Sequence, residues 1–162
     1  MNSRIKELIN PLPGYTIMHV TAEANEMTNT LTQMLEKIED TTLNLAIYEV
    51  TDKIEKLGEN VKVQYVDGYD KIYRALPRDN DIVILQDVVS RHTNKEKLLK
   101  NTYMTLANAA YIIIMEKKGV MDLTEVTTWL FEREFRAVND IDIIEGYDLI
   151  MAKKMHMWGN GL

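Results

Sequence analysis

The chain of 162 residues contains no cysteine. That removes disulfides, thiolate zinc sites, iron–sulfur ligation and cysteine nucleophiles. A surplus of positive charge is also missing: 25 acids face 19 bases, for a net charge of −6 and a pI near 5.1. Duplex-binding proteins neutralise phosphates with Lys and Arg, so no duplex nucleic acid is expected as a partner. Long apolar runs are absent. Tyr111-Ile112-Ile113-Ile114-Met115 falls far short of the roughly 20 residues that a bilayer helix needs, so no membrane partner is expected. The start, Met1-Asn2-Ser3-Arg4-Ile5-Lys6-Glu7, lacks the apolar stretch and cleavage site of a signal peptide. A cytoplasmic location is the expectation by elimination. The histidines, His19, His92 and His156, lie far apart with no ligand-spaced pair, so no metal is expected.

What remains is a composition able to bury a core, 46% hydrophobic and 27% charged, at a length that suits one domain. We divide residues 1–162 into a leading helix and linker (1–14), a sheet core (15–155) and a tail (156–162). Pro11, Pro13 and Gly14 separate a helix over Arg4 to Ile9 from the rest. Short apolar runs then alternate with helical patterns, the rhythm of β-α units on a largely parallel sheet. Strands are predicted at Tyr15 to Val20, Leu43 to Tyr48, Val61 to Val66, Ile82 to Leu85 and Tyr111 to Met115.

Met27, Leu31, Met34, Leu35 and Ile38 share one helical face after the first strand. A short helix from Thr51 is predicted to end at Gly58, a helical turn spans Asp70 to Leu76, and a longer helix runs from about Asn94 to Asn108. Asp122 with Glu125 reads as the capped start of another. Strands at Val138 to Ile144 and Tyr147 to Met155, joined by Glu145-Gly146, make an antiparallel hairpin. The fourth and fifth strands are continuous apolar runs suited to a sheet centre, whereas the third alternates and suits an edge. The fold class is therefore α/β: a three-layer α/β/α sandwich on a seven-stranded, mostly parallel sheet with a C-terminal antiparallel hairpin.

This order of elements, with Asp81-Ile82-Val83-Ile84-Leu85-Gln86-Asp87-Val88-Val89 and the continuation from Lys95-Glu96-Lys97-Leu98-Leu99 to Tyr111–Met115, resembles the class I S-adenosylmethionine-dependent methyltransferases, a Rossmann-like superfamily. The resemblance covers residues from Tyr15 to about Met155. It implies a cofactor crevice at the carboxyl ends of the strands. Glu49, ending the second strand, then falls where an acid hydrogen-bonds the ribose, Asp67 and Asp70 near the adenine, and Gln86 and Asp87 beside the transferred methyl. Asp87 would orient the acceptor or take its proton, and His92 is a second candidate base. The same positions also suit plainer uses: Glu49 as an exposed strand-end acid, Asp67 and Asp70 as turn residues around Gly68, and Asp87 as a loop-ordering residue.

The cofactor loop departs from the family pattern. His19 stands where an acid is usual, and Thr21, Glu23 and Asn25 stand where glycines let the backbone approach the cofactor. Asn25 is the one residue of the three suited to a positive φ. Glu23 would face the cofactor's own carboxylate. Two like charges about 4 Å apart cost ~1 kcal/mol in water and ~4 kcal/mol at an effective dielectric near 20, which weakens binding by roughly one to three decades. Binding of S-adenosylmethionine is thus expected to be weak or lost. The resulting reading is a methyltransferase-like domain acting as a non-catalytic, regulatory or interaction protein. The alternative is a divergent but active methyltransferase acting on a small molecule.

Two further features complete the sequence. Arg91, His92, Lys95, Lys97 and Lys100 face one acid, Glu96, a basic run that is either a solvated helix face or an anion-binding rim. The tail carries Met155, Met157 and Trp158, apolar groups that need cover, and homo-oligomerisation through it is the expected partnership.

Overall fold

The structure is a computed structural model, and it describes residues 2–49 and 58–155. The helix expected from Thr51 and the tail 156–162 lie outside the described residues. A 3₁₀ helix spans Asn2–Glu7, where the sequence suggested Arg4 to Ile9. Seven strands follow: β1 (Thr16–Thr21), β2 (Thr42–Ile47), β3 (Val61–Tyr65), β4 (Asn80–Gln86), β5 (Leu106–Lys117), β6 (Phe135–Asp140) and β7 (Tyr147–Lys154). Three helices sit among them: α1 (Glu26–Glu36), α2 (Lys95–Thr105) and α3 (Leu123–Glu132). Among the described residues, no helix is long and apolar enough to cross a membrane.

The strands form one sheet in the order β3-β2-β1-β4-β5-β7-β6. Pairings from β3 through β5 are parallel, and β7 runs antiparallel to both β5 and β6. The alternating β3 lies at an edge and the apolar β4 and β5 lie centrally, as their residues predict. Period-two alternation divides the core between the faces. On one face, Ile82 and Ile84 of β4 pack with Ile17, Leu43 and Ile113 under Ile5, Ile9 and the Met27, Leu31 and Leu35 stripe of α1. On the other, Val83 and Leu85 pack with Met18, Val20, Ile112 and Ile114 under Leu98 and Leu99 of α2 and Val126 and Leu130 of α3. These are the three layers.

Side-chain caps set the helix starts. The Asn25 carbonyl oxygen accepts from Met27 N–H at 2.9 Å, Asn94 from Lys97 N–H at 3.0 Å and Asp122 from Glu125 N–H at 3.1 Å.

Three boundaries differ from the sequence reading, each for a tertiary reason. The α2 helix stops at Thr105, short of Asn108, because Lys154 reaches over from β7. Its ammonium donates to the carbonyls of Tyr103 (2.9 Å) and Leu106 (2.8 Å), and the chain turns directly into β5. Residues 70–76 are not helical. The Gln64 side-chain amide binds both the N–H and the C=O of Arg74 at 2.8 Å, the groups a helix would use. β6 begins at Phe135 and ends at Asp140, so the link to β7 spans six residues rather than two. Within it Ile144 turns into the core, and Gly146 takes φ +82° just before β7.

Candidate functional site

The strand order reverses direction between β1 and β4, and in open α/β sheets that switch point opens a crevice beyond the strand carboxyl ends. Thr21 and Gln86 end β1 and β4 there, Glu116 is the penultimate residue of β5, and Glu49 lies two residues beyond β2.

The turn from β1 into α1 closes on itself. Thr21 Oγ1 donates to the Glu23 carbonyl at 3.0 Å, and Asn25 Nδ2 donates to the same carbonyl at 2.9 Å and to Thr21 Oγ1 at 3.2 Å. Asn25 N–H donates to Thr28 Oγ1 at 3.1 Å, completing a reciprocal cap with the Met27 bond. Asn25 is extended at φ −150°, and no residue from 21 to 25 has a positive φ, so the left-handed conformation open to Asn25 is not used. Glu23 is exposed on this turn.

His19 lies beneath the turn, completely buried. Its Nδ1 accepts from Thr28 Oγ1 (3.3 Å) and its Nε2–H donates to Gln86 Oε1 (2.8 Å). Gln86 Nε2 donates to the Tyr147 hydroxyl at 3.2 Å, which donates to Asp87 Oδ2 at 3.1 Å. The Asp87 carboxylate can only accept, so Tyr147 donates to it, Gln86 Nε2 donates to Tyr147, and Gln86 Oε1 is left to accept from His19, which assigns the Nε2–H tautomer. Burial pushes the His19 pKa down to about 4. The chain ends at Asp87, which is half-buried at φ +60°, a left-handed conformation uncommon outside glycine. Its N–H is anchored on the Met115 carbonyl at 2.9 Å. Nearby, buried Glu116 accepts from Ser90 Oγ at 2.5 Å, and burial raises its pKa.

Glu49 sits on the other side of the crevice. It accepts from the Tyr69 hydroxyl at 2.5 Å and pairs with the Arg91 guanidinium. Tyr69 stacks on Tyr48 with ring centres 4.7 Å apart and planes 3° apart. The Tyr69 hydrogen bond, then Arg91, hold the Glu49 carboxyl below the ordinary carboxylate value. Burial first, then Glu49, push the Tyr69 hydroxyl up to about 12.

The remaining candidates are placed elsewhere. Asp67 lies in the exposed turn after β3, 3.7 Å from Lys71 Nζ. Asp70 is also exposed, beside Gly68, whose φ of +106° is what makes that turn need glycine. The His92 ring is buried with both nitrogens committed to backbone: Nε2 donates to the Lys71 carbonyl (3.0 Å) and Nδ1 accepts from Asn94 N–H (3.1 Å). Of the basic run, Lys95 donates to the His92 carbonyl at 2.8 Å, and Glu96 pairs with Arg133 at 3.0 Å. Among the described residues, no group of three His, Asp or Glu is placed to hold a metal.

Sequence reasoning missed Tyr147, Glu116, Ser90 and Tyr69. Glu116 carried a signal, a lone acid ending the most apolar strand on its carboxyl side. Tyr69 and Tyr147 carried none, since only the fold brings them to the crevice.

No family model matches the sequence, and no curated protein matches it either. Solved structures do. A SAM-dependent methyltransferase from Aquifex aeolicus is similar with a TM-score of 0.76 at 15% identity, over 95% of this chain and 89% of that one. The phosphoethanolamine N-methyltransferase 2 of Haemonchus contortus, in complex with S-adenosyl-L-methionine, gives 0.70 at 9% identity over 96% of this chain. The CMeT domain of the citrinin polyketide synthase gives 0.70 at 13% over 90%. The chain spans about half the length of these last two structures, 52% and 48%. With its strand order and reversed β7, the chain has the fold of the class I S-adenosylmethionine-dependent methyltransferases.

Proposed function

We propose that this methyltransferase-fold protein is a binding or regulatory module that does not turn over S-adenosylmethionine in the ordinary way. The self-closed β1–α1 turn carries this reading. A cofactor carboxylate needs free backbone N–H groups at the start of α1. Here the Asn25 side chain takes the Met27 N–H, and Asn25 N–H goes to Thr28. Glu23 adds a like charge on the same turn. At the ribose end, the Glu49 carboxylate is engaged by Tyr69 and Arg91. These commitments support the reading that the residues present do not fit the cofactor in this arrangement.

Calorimetric titration with S-adenosylmethionine and S-adenosylhomocysteine tests the reading. The expected result is no heat up to millimolar ligand, with binding gained in Thr21→Gly/Glu23→Gly. Micromolar binding by the unaltered protein overturns it.

One observation favours a second reading, a divergent active methyltransferase acting on a small molecule. Asp87 is held in a left-handed conformation at the end of a directed hydrogen-bond chain, an arrangement suited to orienting an acceptor. Micromolar cofactor binding would move this reading to first place. For the tail, we retain self-association as the proposal: truncation after Lys154 should lower the solution mass, and an unchanged mass would sink it.

A further inference from the structure

Beside the switch point between β1 and β4, two side chains from separate loops meet. Glu49 follows β2 and Arg91 follows β4, with β1 between those strands in the sheet. Their ion pair therefore ties the loop after β4 to the loop after β2, on the β2 side of the crevice. Tyr69 braces it from a third segment: its hydroxyl donates to the same Glu49 oxygen, and its ring lies flat on Tyr48. His92 and Thr93 tie that segment to the Arg91 loop through the carbonyls of Lys71 and Tyr69. The brace is thus built into the fold, while both charged side chains stay nearly half exposed, at 46% for Arg91 and 44% for Glu49. Such a pair is held firmly in place but bound weakly, because water and salt compete for it.

We infer that Arg91 is a latch, an autoinhibitory contact that occupies Glu49 and closes one end of the crevice against a neutral nucleoside. This deepens the proposed function and rests on its reading of the crevice as out of ordinary use. A ligand whose hydroxyls seek the Glu49 carboxylate must first displace the guanidinium. Releasing Arg91 removes that penalty without touching the β1–α1 turn.

Adenosine is the probe, because it is uncharged and has no amino-acid arm to meet Glu23. Its binding to the full chain would be measured for the unaltered protein, Arg91→Ala, Arg91→Lys and Tyr69→Phe, at low salt and at about 1 M salt, where the Debye length falls to ~3 Å. Arg91→Ala should bind roughly fivefold more tightly at low salt. The unaltered protein should rise toward that value with salt, against the usual indifference of a neutral ligand. Arg91→Lys should keep part of the salt dependence, and Tyr69→Phe should fall between the unaltered protein and Arg91→Ala. Equal affinities for the unaltered protein and Arg91→Ala, salt-independent binding in the unaltered protein, or no adenosine binding by any form up to millimolar would each overturn the latch. Failure of the underlying reading looks different: micromolar S-adenosylmethionine binding by the unaltered protein, whatever adenosine does.

Discussion

The crevice has two polar flanks built on opposite physical terms. On the β4 side, His19 and Gln86 are buried and joined in a directed chain to Tyr147 and Asp87. On the β2 side, Glu49 and Arg91 meet in half-exposed positions. In the buried flank each partner is indispensable to the next, because an unpaired buried polar group keeps its full desolvation cost. In the exposed flank water replaces a lost partner, so the contact is cheap to break. Rigidity thus lies beside Asp87 and exchangeability beside Glu49.

The largest expected effect comes from pH acting on the buried flank. The folded protein keeps His19 neutral down to about pH 4, whereas the unfolded chain protonates it near 6.5. The unfolded state binds more protons between these values. This contribution to stability is therefore complete above about pH 6.5 and falls as pH drops toward 4, by about 3 kcal/mol in all. Urea unfolding at several pH values should show the slope in the unaltered protein, and His19→Leu should flatten it. An identical slope in both would mean that His19 protonates without resistance.

Substitution of Gln86 comes next. Gln86→Leu strands the His19 Nε2–H in the core and should destabilise by ~2 kcal/mol. Replacing both residues with Leu should recover much of that loss, since removing both partners of a buried bond is far milder than removing one. If the double variant is no more stable than the single one, packing rather than the unpaired N–H carries the cost.

The sequence reading separates along similar lines. The apolar runs of β4 and β5 and the Asp122 cap were legible because period and capping act within a few residues. The end of α2 was not, because the lysine that stops it is 48 positions from Leu106. Segment 70–76 kept a helical pattern that a side chain ten positions away overrides. At the site, the absence of glycine in the β1–α1 turn was legible, whereas the way Thr21 and Asn25 stitch it shut was not. His19 and Gln86 were both singled out, but 67 residues separate them, and only the β1–β4 register shows that they serve each other rather than a ligand.

Tyr147→Phe probes the junction between the flank and the crevice. It removes the donor to Asp87 and the acceptor for Gln86 at a half-buried position, for a loss of ~1 kcal/mol in urea unfolding. Asp87, left without that donor at φ +60°, should also lose order, seen as altered amide shifts for residues 86–88. Unchanged shifts would show that the backbone alone holds Asp87 in place.

The smallest effect is expected on the exposed flank, and its smallness is the point. Arg91→Ala should cost no more than about 1 kcal/mol at low salt, and the difference should vanish near 1 M salt as screening removes the pair. The Gln86→Leu loss should persist in the same salt series, because a buried hydrogen bond has no ionic atmosphere to compete with it. If Arg91→Ala instead costs as much as Gln86→Leu and ignores salt, the two flanks are alike, and the crevice is rigid on both sides.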